Sequence, residues 1–310
     1  MTGWLDAHAH YVTEHYAKEC RAAGHAHPDG MPGLPDWSVA AALDVMGRAG
    51  IGTAVLSVSS PGVHLGNDSL AESRAARDLA RHVNDAGAKI VASHPGRFGL
   101  SAVLPLPDVD GSLAELSRAY DELGADAIAL ETNYHGRYLT DPAFAPVLAD
   151  MDARAAVVTL HPTSPPGAER TTFGRPAPMI EFLFDTTRCV ADLALSGTLA
   201  RYPQIRWIVP HAGAVLPVLA HRVAAMSMVT GPPVDMPGIL AGCTTTWPAR
   251  RYQWRSTPCS RSPGQGGCCT AAISRSPLPQ RSPKRAGTRS APPAPLPTPR
   301  RPAPVKLKRP

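Results

Sequence analysis

The chain has 310 residues, of which 44% are hydrophobic and 18% are charged. This composition is typical of a soluble globular protein and excludes a wholly disordered chain. No apolar run reaches about 18 residues, and polar side chains follow the start of the chain at once. We therefore expect neither a membrane-spanning helix nor a secretory signal, and we expect a cytoplasmic location.

The overall net charge of +6 conceals two different regions. Residues 231–310 hold 14 lysines and arginines against one acid, Asp235, which is a net charge of +13. Residues 1–230 hold 17 basic and 24 acidic residues, a net charge of −7, and all 12 histidines. The last 80 residues also contain 17 of the 34 prolines. These differences predict a folded domain over residues 1–230 and a disordered Pro/Arg/Ser-rich tail over residues 231–310.

Apolar runs of strand length alternate with amphipathic runs of helix length throughout the first region. The predicted elements in chain order are strand 4–7, helix 37–49, strand 53–58, helix 70–92, strand 98–104, helix 112–123, strand 127–130, helix 142–154, strand 156–160, helix 179–200, strand 205–209 and helix 215–229. Six strands that are each followed by a helix favour a parallel sheet with right-handed crossovers.

A complete (β/α)8 barrel takes about 250 residues, so six strand–helix units predict an incomplete TIM-type barrel. An open doubly wound sheet is the alternative. The first strand is not followed by a G-x-G-x-x-G motif, which weakens that alternative.

Four histidines follow the ends of predicted strands. His8 and His10 lie at the end of the first strand, His161 at the end of the fifth and His211 at the end of the sixth. The carboxyl ends of parallel strands meet at one face of a barrel, where barrel active sites form. Unrelated histidines have no reason to share this position, and neutral imidazoles are natural ligands for zinc or a similar metal. The pattern therefore predicts a metal-dependent site.

The segments around these histidines resemble the amidohydrolase superfamily. The motifs that carry the resemblance are Asp6-Ala7-His8-Ala9-His10, Leu160-His161-Pro162 and Val209-Pro210-His211-Ala212-Gly213, followed by Pro217 and Arg222. Within that superfamily the chain resembles the aminocarboxymuconate-semialdehyde decarboxylase family. Segments 95–99, 132–138 and 201–203 are most similar to its 6-methylsalicylate decarboxylase branch.

The resemblance implies specific roles for these residues. It implies that His8, His10 and His161 bind a divalent metal, zinc or manganese, and that His211 is the catalytic acid/base or polarising group. It also implies that Arg222 contacts the substrate carboxylate, in some members across a subunit interface, so a homo-oligomer is expected. The implied reaction is non-oxidative decarboxylation of a hydroxyaromatic or unsaturated carboxylic acid. A metal-dependent hydrolase or lactonase on the same site is the alternative.

Further residues are candidates for contact with a small-molecule acid. Asn133 and Glu131 lie at the end of the fourth predicted strand, which suits a role beside the substrate or behind the metal ligands. Phe184 and Phe182 share a predicted helix and are expected either to line an aromatic pocket or to pack in the core.

A second H-x-H motif lies between the first strand and the first helix. His25 and His27 are surrounded by glycine and proline, which predicts a loop. We expect this loop to form a lid over the pocket rather than a second metal site.

The tail lacks a residue that the resemblance requires. The family carries an aspartate after an eighth strand, usually within Gly-Ser-Asp, whereas this chain has no Asp or Glu after Asp235. Read one nucleotide early, residues 243–249 permit Leu-Tyr-Tyr-Asp-Leu-Ala-Gly, and residues 267–276 permit Arg-Val-Leu-Tyr-Gly-Ser-Asp-Phe-Pro-Phe. Codon degeneracy leaves several positions free, but both phrases occur in the family's order and in one frame. We predict a frameshift within about residues 230–243 and impaired activity.

A noncatalytic remnant is the remaining alternative. In that case the basic tail of residues 231–310 would bind anionic polymers such as nucleic acids, without specificity, through its charge. No membrane partner and no specific nucleic-acid partner are expected.

Overall fold

The computed structural model describes residues 3–66, 70–247 and 271–272. All of these belong to one compact unit that spans residues 1–275. None of the described helices combines the length and the apolarity that a membrane crossing needs.

Eight parallel strands form a closed barrel, and a small antiparallel hairpin lies outside it. The strands in chain order are β1 Trp4–His10, β2 Ile51–Ser57, β3 Phe98–Val103, β4 Ala127–Glu131, β5 Asn133–Tyr134, β6 Arg137–Tyr138, β7 Val157–His161, β8 Arg206–Val209, β9 Thr244–Trp247 and β10 Ala271–Ala272. The ring order is β1-β2-β3-β4-β7-β8-β9-β10, and β5 pairs with β6.

Helices follow most of the barrel strands, as the parallel sheet requires. The α-helices of the described chain are α1 Glu14–Ala22, α2 Val39–Ala49, α3 Leu70–Ser93, α4 Val109–Asp121, α5 Ala145–Ala153, α6 Glu181–Leu195, α7 Thr198–Arg201, α8 Leu216–Thr230 and α9 Met236–Gly242. Side chains cap several of their first turns. Thr13, Ser38 and Asp108 each accept a hydrogen bond from a backbone N–H of the helix that follows.

The six predicted strands are all present in the predicted order. Three local features differ from the sequence expectation. Helix α1 and the β5–β6 hairpin occur where no element is predicted, and the helix predicted over residues 179–200 divides into α6 and α7. Gly197 has a φ of +76°, which ends the regular helical conformation between them.

The predicted tail of residues 231–310 needs correction for part of its length. Asp235 accepts a hydrogen bond from Gly238 N (3.0 Å) at the start of α9, and Met236 is fully buried. Strand β9 pairs with β8, and β10 pairs with both β9 and β1, so the ring has two strands beyond the predicted six. Without them β1 and β8 would be open edges, whose unpaired backbone groups readily take up an extended segment.

The remaining residues of that tail, 248–270 and 273–310, lie outside the described residues. Disorder over those ranges and binding of anionic polymers by them therefore stay predictions.

The core lies inside the ring and between the ring and its helices. Every residue of β3 is buried, as expected for a barrel strand covered on both faces. The larger of two buried clusters joins β3, β4, β7 and β8 to the helices on their outer side, and the second joins β1 and β2 to α1, α2 and α3. The carboxyl ends of the strands are consequently held by packed side chains on both sides of the ring.

Candidate metal centre and active site

Two histidines project from the end of β1. His8 and His10 are separated by one residue, so in an extended strand their side chains leave the same face. Their ring centroids are 4.7 Å apart. The backbone N–H of His8 donates to Oδ1 of the buried Asp6 (3.0 Å), which fixes the backbone just before the two rings.

His161 is the last residue of β7 and meets the first two histidines inside the barrel. Its ring centroid is 5.3 Å from that of His8 and 4.8 Å from that of His10. One nitrogen from each of the three rings lies within 4.8 Å of the others. Three imidazoles at this separation are able to hold a metal ion with little movement of the side chains.

A buried carboxyl group stands behind His161. Glu131, the last residue of β4, is paired with His161 in the strand register, and its Oε2 lies 3.4 Å from Nδ1 of His161. Burial raises the pKa of Glu131, while the neighbouring imidazole of His161 opposes that rise. A carboxyl group in this position can orient the imidazole of a metal ligand.

The fourth histidine follows β8 in a strained loop. The ring centroid of His211 is 5.5 Å from that of His8. Four consecutive residues, His211 to Ala214, have positive φ angles of +54°, +58°, +82° and +56°. Non-glycine residues in this region are strained and require a surrounding structure that holds them, which is common at functional sites.

Burial favours the neutral form of His8, His10 and His211. Burial, followed by the neighbouring histidines, lowers the pKa of His10 to about 3 and that of His8 well below its usual value. Burial and His161 lower the pKa of His211 to about 4. Neutral imidazoles have a lone pair available for a metal ion, so this charge state suits metal binding.

A cavity of about 370 Å³ lies beside Glu131, the residue that contacts the ring of His161. Loops that follow β1, β2, β4 and β7 line it, and Glu131 belongs both to its wall and to the contact with His161. The lining residues are His25, Asp29, Pro61, Gly62, Val63, His64, Leu65, Glu131, Asn133, Tyr134, His135, Thr163, Ser164 and Pro166. Its position at the carboxyl ends of the strands is the usual place for a substrate in a parallel barrel.

The structure brings only one of the three predicted substrate-binding residues to this cavity. Asn133 lines it, and the Nδ2 group of Asn133 donates to Asp185 (3.0 Å). Phe184 is 41% exposed, whereas the ring of Phe182 lies 6.1 Å from that of His161, centroid to centroid. Residues two positions apart on an α-helix differ by about 200° in direction, so only one of the two phenylalanines can face the barrel.

The remaining candidates lie away from the histidine cluster. Arg222 is exposed on α8, and no described residue forms an ion pair with it. In the second H-x-H motif, His25 Nε2 lies 2.8 Å from the carbonyl oxygen of Leu65, and His27 Nδ1 lies 2.9 Å from that of Pro32. These two rings therefore contact loop carbonyls, and the role of this loop as a lid stays a prediction.

Two features of the site are absent from the sequence prediction. Asp185 is a fully buried carboxylate that accepts hydrogen bonds from Thr132, Asn133 and Tyr138. The sequence feature that could have indicated it is an acidic residue on the apolar face of a helix, one turn from Phe182 and Cys189. The second feature, a contact between His64 and His135, joins two loops that are distant in sequence, and no local pattern indicates it.

Comparison with known proteins agrees with this architecture. The amidohydrolase family profile matches residues 5–254, and the chain belongs to this family. A 6-methylsalicylic acid decarboxylase from Penicillium expansum is 35% identical over 225 residues, which cover 72% of this chain and 68% of that protein. The chain spans about two thirds of the length of the first curated relatives that it matches, with shares of 66%, 66% and 61%.

Solved structures show the same fold. A structure described as amidohydrolase II aligns with a TM-score of 0.72 and 29% identity, over 79% of this chain and 78% of the other. A dihydroxybenzoic acid decarboxylase from Polaromonas sp. JS666, solved with bound manganese and the inhibitor 2-nitroresorcinol, aligns with a TM-score of 0.66 and 23% identity. That alignment covers 80% of this chain and 79% of the other, and at this identity it supports the fold alone.

Proposed function

We propose that this chain is a metal-dependent carboxy-lyase that removes carbon dioxide from a hydroxylated aromatic or unsaturated carboxylic acid, with impaired activity in the present sequence. The observation that carries the proposal is the cluster of His8, His10 and His161, whose ring nitrogens lie within 4.8 Å of one another at the carboxyl ends of the strands. The related 6-methylsalicylic acid decarboxylase supports the substrate class.

The residues present fit a divalent metal. Among the described residues, no group forms a hydrogen bond with the buried Nδ1 atoms of His8 and His211. A buried polar atom without a partner is costly, and a bound ion or substrate group would remove that cost. Three imidazole donors favour zinc, and manganese is the alternative.

A divalent metal at this cluster would supply an electrophile for the carboxylate and the adjacent hydroxyl of the substrate. His211 is neutral because burial lowers its pKa to about 4, so its ring can accept a proton from a substrate hydroxyl or donate an N–H to the carboxylate. Glu131, whose Oε2 lies 3.4 Å from Nδ1 of His161, would orient that ring. The cavity beside Glu131 would take the aromatic ring of the substrate.

The proton that replaces the lost carboxyl group needs a separate donor. Decarboxylation breaks a carbon–carbon bond, and the electron pair left on the ring carbon takes up a proton to form a C–H bond. The resemblance places an aspartate after the eighth strand for this purpose and for metal binding. No residue after Asp235 is acidic, so we infer that this chain lacks the group and turns over slowly.

A second copy of the chain is the proposed partner besides the substrate. The α8 residues Val218, Met228 and Val229 are 80%, 66% and 77% exposed, and the predicted substrate contact Arg222 lies on the same helix. Exposed apolar side chains of this number on one helix are typical of an interface. A homo-oligomer would cover them and could bring Arg222 to a neighbouring site.

The cytoplasmic location stays a prediction.

The decisive experiment is an assay of carbon dioxide release from carboxyl-labelled 6-methylsalicylate and related acids, with zinc or manganese supplied. We expect slow, metal-dependent release that the His211→Asn substitution reduces further. Hydrolysis of an ester or lactone without any carbon dioxide release would contradict the proposal and support a hydrolase.

Size-exclusion chromatography with light scattering would show the oligomeric state, and a monomer at micromolar concentration would contradict the proposed self-association.

A further inference from the structure

A second pair of histidines lines the cavity, separate from the four at the strand ends. Nδ1 of His64 lies 3.0 Å from Nε2 of His135, and the two ring planes meet at 72°. His64 is buried, with 6% exposure, and His135 is exposed at the cavity wall. A neutral imidazole has one donor and one acceptor nitrogen, so one of these rings donates to the other.

The turn that carries His135 ordinarily favours a different residue at that position. Strands β5 and β6 are joined by two residues, His135 and Gly136, with φ angles of +51° and +84°. Two-residue hairpin loops with positive φ at both positions favour Asn-Gly, because asparagine and glycine tolerate the left-handed region. An imidazole at the first position costs on the order of 1 kcal/mol. The turn alone would therefore favour another residue, which points to a role for the ring.

The hairpin that carries His135 is fixed to the barrel. Asn133 on β5 and Tyr138 on β6 donate hydrogen bonds to the two carboxylate oxygens of the buried Asp185. Oδ1 of Asn133 in turn accepts from Gly136 N (3.0 Å), which ties the turn to the same group. His135 is thus held in position by a hairpin that is tied to a buried carboxylate.

We propose that the His64–His135 pair recognises a hydroxyl group on the aromatic ring of the substrate and so determines which hydroxyaromatic acid binds. This inference rests on the proposed function, because it assumes that the cavity takes the ring of an aromatic acid. His135 lines the cavity, and within residues 3–66 and 70–247 no group hydrogen-bonds to its Nδ1, so this nitrogen of the exposed ring is accessible to a ligand.

The charges of the cavity favour a hydroxyl over a second acidic substituent. Asp29 and Glu131 line the same space. Oδ1 of Asp29 already accepts from the backbone N–H and the hydroxyl of Ser164, so its carboxylate is held in place there. The Asp29 carboxylate would repel a second anion, whereas a neutral hydroxyl can both donate and accept, as a pair of imidazoles requires.

The test compares matched ligands by calorimetry on the full chain, with and without zinc. Each of 2,3-, 2,4-, 2,5- and 2,6-dihydroxybenzoate is paired with the methylsalicylate in which a methyl group replaces the second hydroxyl. We expect at least one hydroxyl position to bind about tenfold or more tightly than its methyl counterpart. His135→Gly should bring that ratio to about one and leave the Kd of the methyl acid unchanged.

Two variants separate recognition from folding. Glycine accepts the φ of +51° at position 135, so His135→Gly should keep or raise the Tm. His135→Asn keeps the turn and retains an amide donor and acceptor, and it should give an intermediate preference for the hydroxyl. A loss of binding caused by unfolding would instead appear as a lower Tm in both variants, and such a result would overturn the proposal.

The remaining outcomes are equally decisive. Equal Kd values within every ligand pair, no binding of either acid, or a hydroxyl preference that persists in His135→Gly would each overturn the proposal. A hydroxyl preference that His135→Gly removes, together with no carbon dioxide release from any acid, would refute the decarboxylase proposal and leave the recognition inference standing.

Discussion

Two parts of the barrel wall are held in different ways. The six-strand arc consists of β1, β2, β3, β4, β7 and β8, whose residues are buried against helices. Three of the four clustered histidines lie at the ends of its strands, and His211 follows β8. The closing strands, β9 and β10, are short, and β10 meets β1 through a single paired position, Leu5 with Ala271. The described contacts that close the ring are backbone pairings, whereas the proposed chemistry depends on particular side chains of the arc.

The largest effect is expected when the metal-binding side chains of the arc are removed. His8→Ala with His10→Ala should abolish stoichiometric metal in the purified protein, because two of three clustered donors are lost. The measurement is metal content by mass spectrometry after dialysis against trace zinc.

The chain offers a matched control for that variant. His15 and His82 form another close pair, with ring centroids 4.4 Å apart, but they lie between α1 and α3 at the protein surface. His15→Ala with His82→Ala should retain the metal. Undiminished metal in the His8/His10 variant would eliminate the proposed site.

One proline substitution in the six-strand arc and one in the closing strands compare how much each region contributes to thermal stability. Ala54 in β2 is buried and pairs with both β1 and β3, and its N–H donates to the carbonyl oxygen of Arg97 (3.0 Å). Ala54→Pro removes this bond inside the arc and should cost about 3 kcal/mol, or roughly 5 °C or more in Tm. Ala271→Pro in β10 should shift the Tm by less than about 2 °C. Equal shifts by scanning calorimetry would show that the closing strands are as integral as the arc.

The arc histidines should also make the stability of the metal-free protein depend on pH. Burial holds the pKa of His10 at about 3 and that of His211 at about 4, below the value of about 6.5 in an unfolded chain. Between these values the unfolded state binds protons that the folded state does not, so stability is greatest above about pH 6.5 and falls as the pH decreases toward 4.

Urea denaturation of chelator-treated protein at pH 7.5 and pH 5 tests this expectation. The free energy of unfolding should be lower at pH 5, and the difference should be smaller in the His8/His10 double alanine variant. An identical pH dependence in the two proteins would show that these buried rings are not the source.

The smallest expected effect concerns the carboxylates that hold the cavity hairpin. Two carboxylate oxygens of Asp185 accept hydrogen bonds from Asn133 and Tyr138, and Asp185→Asn replaces one of these oxygens by an NH2 group. The substitution should therefore lower the free energy of unfolding by about 2 kcal/mol. Asp192→Asn is a matched change on the same helix, where the partly buried carboxylate accepts only from Thr140, and it should cost less than about 1 kcal/mol. A larger loss for Asp192→Asn in chemical denaturation would show that Asp185 does not anchor the hairpin.

Much of the arc could be predicted from the sequence because its signals are local. Alternating apolar runs place six strands, and H-x-H at the end of β1 is enough to place two rings on one face. The pair of His64 and His135 is different, since it depends on where two loops meet. Phe184 was ambiguous because the phase of a helix relative to the barrel is set by packing, which selected Phe182.

The closing strands bear on the predicted frameshift. β9 lies within residues 243–249 and β10 lies within residues 267–276, the two segments whose out-of-frame reading resembles strands seven and eight. A shift of one nucleotide changes residue types and preserves spacing along the chain. The positions of the two strands in the ring fit that explanation, and the frameshift itself stays a prediction that the nucleotide sequence would settle.

The most direct test of the central claim compares the present chain with a frame-restored form. Both would be assayed for release of labelled carbon dioxide from 6-methylsalicylate and dihydroxybenzoates with zinc and manganese. If the arc supplies the metal ligands and lacks only the strand-eight carboxylate, the restored form should be faster by on the order of a thousandfold. Comparable turnover by the two proteins would contradict the account, because it would show that no group is missing from the site.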